Sequence, residues 1–286
     1  MQKMAEKDVR RLRQGEVPAV GVLFLDEYGQ ADDDVKKPAA ELLYKGQVGT
    51  SRLPEGWRVI AAGNRMTDRS GVNREMMFLV NRRGQLVIDP DLPTWQNWRN
   101  NQPAHLQPHF LTASFAEKSP ELVFRTEVPA NPDPYCTPRS LCLMDRDLMA
   151  LRTDEDIAHD RLPMDPIARE LAQGWIGEAE SAKFWTHIRY ADQLPDLIDI
   201  EKRPDRAKVP TGKDAQMVAA FMLAGAITEK NTDSILTYVE RLHIELQVLC
   251  LRTITLTPAK AQLILESPRH IDWLGQHRDL LRASRS

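Results

Sequence analysis

An apolar run that ends in two carboxylates constrains this sequence more than any other feature. The run covers residues 20–25, and Asp26 and Glu27 follow it directly. An unbroken apolar segment of this length is typical of a strand buried on both faces of a parallel sheet, since helices cover both sides of such a sheet. Parallel α/β sheets bind their ligands at the carboxyl ends of their strands. The segment therefore predicts an α/β fold with two acidic side chains at its ligand-binding edge.

The residues after this strand predict a helix and then a second strand. Acidic side chains at residues 32–34 suit a helix start, and Gly46 suits its end, although Pro38 is tolerable only near the first turn. The segment GWRVIAAGN, residues 56–64, predicts another buried strand that ends at Asn64. We expect the two strands to be parallel neighbours, so that Asp26 and Asn64 lie side by side and face one groove.

The rest of the chain is predicted to be mainly helical. A helix is expected over residues 72–82, and residues 85–90 predict a third and last strand that is parallel to the first two. From Leu92 onward the apolar residues recur at helical spacing, apart from a proline-rich interruption. We therefore predict an α/β region of residues 1–151 and a helical C-terminal domain of residues 152–286.

Composition argues against several classes of protein. The chain is 42% hydrophobic and 28% charged, as is usual for a globular protein, and its net charge of -3 provides no basic surface for nucleic acid. Its three cysteines lack C-x-x-C spacing, and an odd number argues against a disulfide framework. No segment has the features of a signal peptide or the roughly 18–20 apolar residues of a membrane span. We expect a cytoplasmic protein that binds neither nucleic acid nor membrane directly.

The polar residues at the two strand ends suit nucleotide hydrolysis. At such a site the first carboxylate, here Asp26, holds the Mg²⁺ shell, and the second, Glu27, polarises the attacking water. The amide of Asn64 on the neighbouring strand can hold the same water. Each feature has a plainer alternative, namely a solvated acidic strand end and an asparagine that begins a turn. Their occurrence on adjacent strands favours the hydrolytic interpretation.

These motifs resemble a known family. GVLFLDE, then GQVGTSRLPEGWRVIAAGN, then a helix that ends in Asn81-Arg82 resemble the Walker B, sensor 1 and arginine-bearing region of AAA+ ATPases of the MoxR branch, especially phage and bacterial homologues. TPRS, GWIGEAESAKFWTHIRYADQLPDL and DAQMVAAFMLAGAI are also similar to these proteins, so the resemblance covers most of the chain. It implies a partial AAA+ (P-loop NTPase-like) parallel sheet, followed by a helical lid and a C-terminal helical domain.

The resemblance also implies roles for single residues. Asp26 and Glu27 become the Walker B pair, with Asp26 as the ligand of Mg²⁺ and nucleotide, and Asn64 becomes sensor 1. Arg82 takes the place of the arginine that reaches a neighbouring subunit's γ-phosphate, and Arg139, at the start of a lid helix, resembles sensor 2. Arg82 has rivals close by and a plainer role as a helix-ending cation; the rivals are Arg65, Arg69 and Arg83. The implied protein is a homo-oligomeric ring that uses ATP and Mg²⁺ to remodel a protein client.

One departure from the family is large. A phosphate-binding loop needs G-x-x-x-x-G-K-[ST], and no such loop precedes Asp26. The only Gly-Lys pair, Gly212-Lys213, is interpreted as a loop that opens a helix. The chain is therefore a fragment, a shortened product or a degenerate member, and these alternatives stay open. The functional alternative is a non-catalytic, AAA+-derived interaction protein that does not bind nucleotide alone.

Overall fold

The computed structural model describes residues 20–65 and 84–277 of the chain. The fold is α/β and mostly helical, with a small parallel sheet, as the sequence predicts at this level. The chain divides into two compact units, Met1–Ile88 and Asp89–Ser286.

A pair of parallel strands organises the first unit. Strand β1 (Gly21–Leu25) pairs with β4 (Trp57–Ala61), with Gly21 opposite Trp57 and Leu25 opposite Ala61. Helix α1 (Asp33–Lys45) connects them in sequence and packs against β4. A short antiparallel hairpin, which the sequence pattern did not predict, follows α1; its strands are β2 (Gln47–Val48) and β3 (Ser51–Arg52).

The ends of α1 follow the predicted signals. Asp33 and Asp34 occupy the first turn, where carboxylates interact favourably with the helix dipole. Gly46 ends the helix in the left-handed conformation (φ 67°), and its N–H donates to the carbonyl of Leu42. The expectation that proline is tolerable only near the first turn is wrong for Pro38, since the helix continues through it without that residue's N–H donor.

The strands are not buried on both faces, and that part of the prediction is wrong. Residues along β1 and β4 alternate between half-buried and exposed. Val22, Phe24 and Ile60 remain 58%, 55% and 51% exposed. Among the described residues, α1 is the helix that packs against this two-stranded sheet, and alternate side chains of the strands stay exposed.

The predicted third strand over residues 85–90 is also wrong. These residues have no regular structure, and Leu86 and Ile88 are 91% and 89% exposed. An extended segment becomes a strand only by hydrogen bonding to a neighbour, and apolar character alone does not supply that neighbour. The helix predicted over residues 72–82 lies outside the described residues.

The second unit is helical throughout its described part. The helices are α2 (Leu92–Asn100), α3 (Phe110–Lys118), α4 (Pro120–Val123), α5 (Pro138–Ala150), α6 (Asp154–Ala158), α7 (Pro166–Ile176), α8 (Glu178–Ile188), α9 (Leu197–Lys202), α10 (Lys213–Ala226), α11 (Thr232–Val239), α12 (Ile244–Thr255), α13 (Pro258–Leu265) and α14 (Pro268–Gln276). Helix α10 packs against α3 and α12, and α7 packs against α5 and α8. The long helical segments predicted from residue 166 onward are confirmed as helices, with breaks at Gly177 and near His243.

The boundary of the units differs from the sequence prediction. The predicted division between residues 151 and 152 falls inside the second unit. Leu141 and Leu148 of α5 are fully buried in the same apolar cluster as Ala172 and Ile176 of α7. Because shared buried side chains join the helices on either side of residue 151, the structure places the division between Ile88 and Asp89.

Across residues 20–65 and 84–277, no helix combines the length and apolarity that a membrane crossing requires.

Candidate functional site

The candidate site lies where β1 and β4 end. The backbone N–H of Ala62 donates to the carbonyl of Leu25 at 2.9 Å, and the N–H of Tyr28 donates to the carbonyl of Ala62 at 2.9 Å. Asp26 and Glu27 therefore lie in a short turn that is fastened to Ala62 at both ends. The predicted adjacency of the two strand ends is confirmed.

Asn64 follows this junction by two residues. It is exposed, as are Asp26 and Glu27, so the polar side chains from both strand ends are open to solvent. The parallel register aligns Leu25 with Ala61, and the two acidic residues and the amide therefore leave the sheet at the same edge. The structure thus brings together three of the five predicted site residues, whose catalytic roles stay predictions.

Gly63 allows the two post-strand segments to approach closely. A Cβ atom at this position would lie 3.0 Å from the backbone nitrogen of Gly29 and 3.6 Å from that of Tyr28. The first distance is shorter than ordinary van der Waals contact, so any larger side chain must displace the turn that carries Glu27. Gly63 was not among the residues expected to shape the site; its position directly before Asn64 was the available signal.

A substitution tests this close approach. Gly63→Val is expected to destabilise the junction by about 1–3 kcal/mol, the usual cost of overpacking, because its side chain meets backbone that cannot rotate away. Hydrogen exchange of the Ala62 and Tyr28 amides measures the effect, since both amides bridge the strand ends. Gly84→Val is the matched control, because a Cβ atom at Gly84 meets nothing within 4 Å. Equal exchange rates in the two variants would contradict this role.

The backbone of Glu27 is in an unusual conformation. Its φ of 52° and ψ of 30° place it in the left-handed region, which residues other than glycine rarely adopt. Asp26 supports the turn, since its Oδ1 accepts the Glu27 N–H at 3.0 Å. Conformations of this kind cost on the order of 1–3 kcal/mol and concentrate at functional sites. The turn thus holds Glu27 away from the direction in which β1 would otherwise continue.

The electrostatics of the turn suit a divalent cation. Within residues 20–65 and 84–277, neither Asp26 nor Glu27 forms an ion pair. Exposed carboxylates are the oxygen ligands that Mg²⁺ prefers, and the ion usually combines one or two of them with water and substrate phosphates. The described residues contain no group of three or more His, Cys, Asp or Glu side chains placed to hold a metal. The two exposed carboxylates are thus open to a ligand, and the role of Asp26 as a Mg²⁺ ligand stays a prediction.

Of the five arginines considered for the site, two belong to the described residues and three do not. Arg82 lies outside the described residues, as do its rivals Arg69 and Arg83. Arg65 directly follows Asn64 and is half-buried. Arg139 is exposed at the second position of α5, in the other unit. Helix α5 begins at a proline, as predicted, and is capped by the reciprocal hydrogen bonds of Thr137 and Ser140.

Gly212-Lys213 opens a helix, as the sequence predicts. Gly212 is the N-cap of α10, and Lys213 is its first residue. The Lys213 ammonium pairs with Glu245 at 3.0 Å. This lysine therefore neutralises a carboxylate on α12 and does not belong to a phosphate-binding loop.

No protein-family model, curated protein or solved structure matches the chain.

Proposed function

We propose that this chain contributes the Walker B and sensor 1 edge of a AAA+ ATPase of the MoxR-like kind, which uses ATP and Mg²⁺ to remodel a protein client. One observation supports the proposal most strongly: two backbone hydrogen bonds hold the Asp26-Glu27 turn beside Asn64, at the carboxyl ends of two parallel strands. Nucleotide sites of α/β proteins lie at this edge, and phosphoryl transfer needs a metal ligand and a group that positions water there.

Each residue has a distinct role in the proposed reaction. Asp26 would hold Mg²⁺, which supplies positive charge to the phosphate oxygens when bound. Glu27 accepts a proton from the attacking water, and the amide of Asn64 orients the same water. The exposure of all three side chains leaves them accessible to a ligand. Arg82 is proposed to act on the site of a neighbouring subunit, so the complete site is shared across a ring.

The same observations leave one alternative function. The 286-residue sequence contains no G-x-x-x-x-G-K-[ST] motif, which is the sequence of the loop whose backbone N–H groups surround phosphates. This favours a non-catalytic, AAA+-derived protein that retains the scaffold for binding other proteins. The two candidates differ in whether a phosphate-binding loop accompanies this chain.

The 286-residue chain alone is expected to bind ATP only weakly. Without the backbone cradle and its lysine, the phosphates would contact only the turn at Asp26, whose carboxylate repels them unless Mg²⁺ intervenes. Calorimetric titration with ATP and Mg²⁺ measures the affinity, and a folded state is verified by thermal unfolding of the same sample. A dissociation constant in the micromolar range would sink this expectation.

The gene itself separates the two candidates. The DNA upstream of the Met1 codon is sequenced and examined for an open reading frame that continues in frame into the chain. A glycine-rich loop that ends in G-K-[ST], encoded about one hundred codons upstream as the resemblance implies, supports the ATPase. A stop codon directly before Met1 supports the non-catalytic alternative.

A further inference from the structure

A second candidate site lies in the helical unit, away from the strand-end turn in sequence and in chemistry. A groove of about 370 Å³ runs along α3 and α8, which pack against each other. This volume is within the range of small-molecule sites. Its walls combine apolar, hydroxyl and cationic groups; the lining residues are Phe115, Lys118, Ser119, Ala182, Lys183, Thr186, His187 and Tyr190.

The charged side chains that line the groove are basic, and none is acidic. Two lysines and no carboxylate line the groove, although the whole chain carries a net charge of -3. Lys118 is already neutralised by an ion pair with Asp214, which also accepts a hydrogen bond from the Tyr190 hydroxyl at 3.0 Å. Lys183 is exposed and has neither an ion pair nor a hydrogen bond within the described residues. Lys183 is therefore the cation that the groove offers to a ligand.

Aromatic groups form the floor and one side of the groove. Phe115 is almost fully buried beneath it, and Tyr190 lies at its edge with the Lys118 ammonium 5.0 Å from the ring centroid. Aromatic and apolar walls bury the carbon skeleton of a ligand, while a few polar groups fix its orientation. The arrangement suits a compact molecule with one apolar or aromatic portion and one negative charge.

His187 supplies an independent observation in the groove wall. Its Nδ1 is buried and has no hydrogen-bond partner within the described residues. Its Nε2 lies 2.8 Å from the Ser114 hydroxyl oxygen, which also lies 2.9 Å from the carbonyl oxygen of Leu111. Burial, with the positive charge of Lys118 as a second cause, lowers the pKa of His187 to about 4, so the ring is neutral at pH 7.

We propose that the groove between α3 and α8 binds a small organic anion that carries an aromatic ring, with Lys183 pairing with its charge and Tyr190 contacting its ring. Unmatched buried polar atoms are rare in native proteins, and one such atom in the groove wall marks this surface as more than a packing gap. The shared chemistry covers carboxylates and phosphate monoesters, so the experiment includes both.

Titration of the full chain with simple probes tests the proposal. Benzoate and phenyl phosphate are added separately while NMR follows the His187 ring resonances, with benzylammonium as the probe of opposite charge. Saturable shifts of these resonances by at least one of the two anions, and none by benzylammonium, are expected. The anion that binds with the higher affinity shows whether a carboxylate or a phosphate monoester is the preferred class.

Variants locate the charge contact. Lys183→Gln is expected to weaken anion binding roughly tenfold, because a charge-assisted contact is lost while no existing contact of the lysine is disturbed. Lys230→Gln is the matched control, since Lys230 is an exposed lysine of the same unit outside the groove. Absence of saturable binding at millimolar probe, binding that leaves the His187 ring unshifted, or equal weakening by both variants would overturn the proposal. This test involves no residue of the strand-end turn, so its outcome is separate from that of the proposed ATPase.

Discussion

Glu27→Gln is expected to abolish ATP turnover while ATP binding persists, in a ring whose subunits include a glycine-rich phosphate loop. The amide keeps the size of the side chain and the left-handed turn in which Glu27 lies. It cannot accept a proton from water, and loss of a general base typically slows a reaction by about 10²–10⁴-fold. Steady-state turnover and equilibrium binding of ATP measure the two effects separately.

Two further variants make this result specific. Glu55→Gln removes an exposed carboxylate from the same unit and should leave turnover unchanged. Asp26→Asn should instead weaken Mg²⁺-dependent binding, since one negative charge at the metal is lost. A Glu27→Gln ring that hydrolyses ATP at the wild-type rate would remove Glu27 from the proposed mechanism.

Phe184→Ala is expected to destabilise the helical unit by about 3–5 kcal/mol, the usual cost of removing a buried phenyl ring. Phe184 is fully buried and meets Phe115 edge to face, with ring centroids 5.3 Å apart, and Trp185 at 5.4 Å. The loss combines apolar burial with these aromatic contacts. A cost of this size is a large part of the stability of an ordinary domain.

Denaturant unfolding followed by tryptophan fluorescence measures this loss. Five of the six tryptophans belong to the second unit, so the signal reports mainly on its unfolding. Leu265→Ala is the control, because Leu265 is a large apolar residue of the same unit that stays exposed. An unfolding midpoint of Phe184→Ala no lower than that of Leu265→Ala would show that this aromatic cluster does not stabilise the unit.

The strand-end turn was largely predictable because its signals are local. An apolar run that ends in Asp26-Glu27 and a second that ends at Asn64 have the length and composition of parallel strands. The backbone conformation of Glu27 and the close approach at Gly63 were not predictable. Both depend on how the two segments pack against each other after their strands end. No local sequence pattern predicts that packing.

Burial and domain division were harder to predict because they depend on neighbours. Val22 and Phe24 have the apolar character of a doubly covered strand, yet the described sheet has a helix against one face only. Helix α5 has apolar residues at helical spacing, but its sequence does not reveal that α7 packs against it. The groove was missed for the same reason, since Lys118 and Lys183 lie on helices far apart in sequence.

Subunit mixing tests the central claim most directly, namely that this edge is one half of an ATP site shared between subunits. Rings are assembled from equal amounts of Arg82→Ala and Glu27→Gln subunits that both include the glycine-rich phosphate loop. Their ATP turnover is compared with that of rings made from either variant alone. Random mixing creates interfaces that pair an intact Glu27 with an intact Arg82 from the neighbouring subunit, so the account predicts that part of the wild-type turnover returns. Mixed rings that assemble but remain as inactive as either variant alone would contradict the shared site.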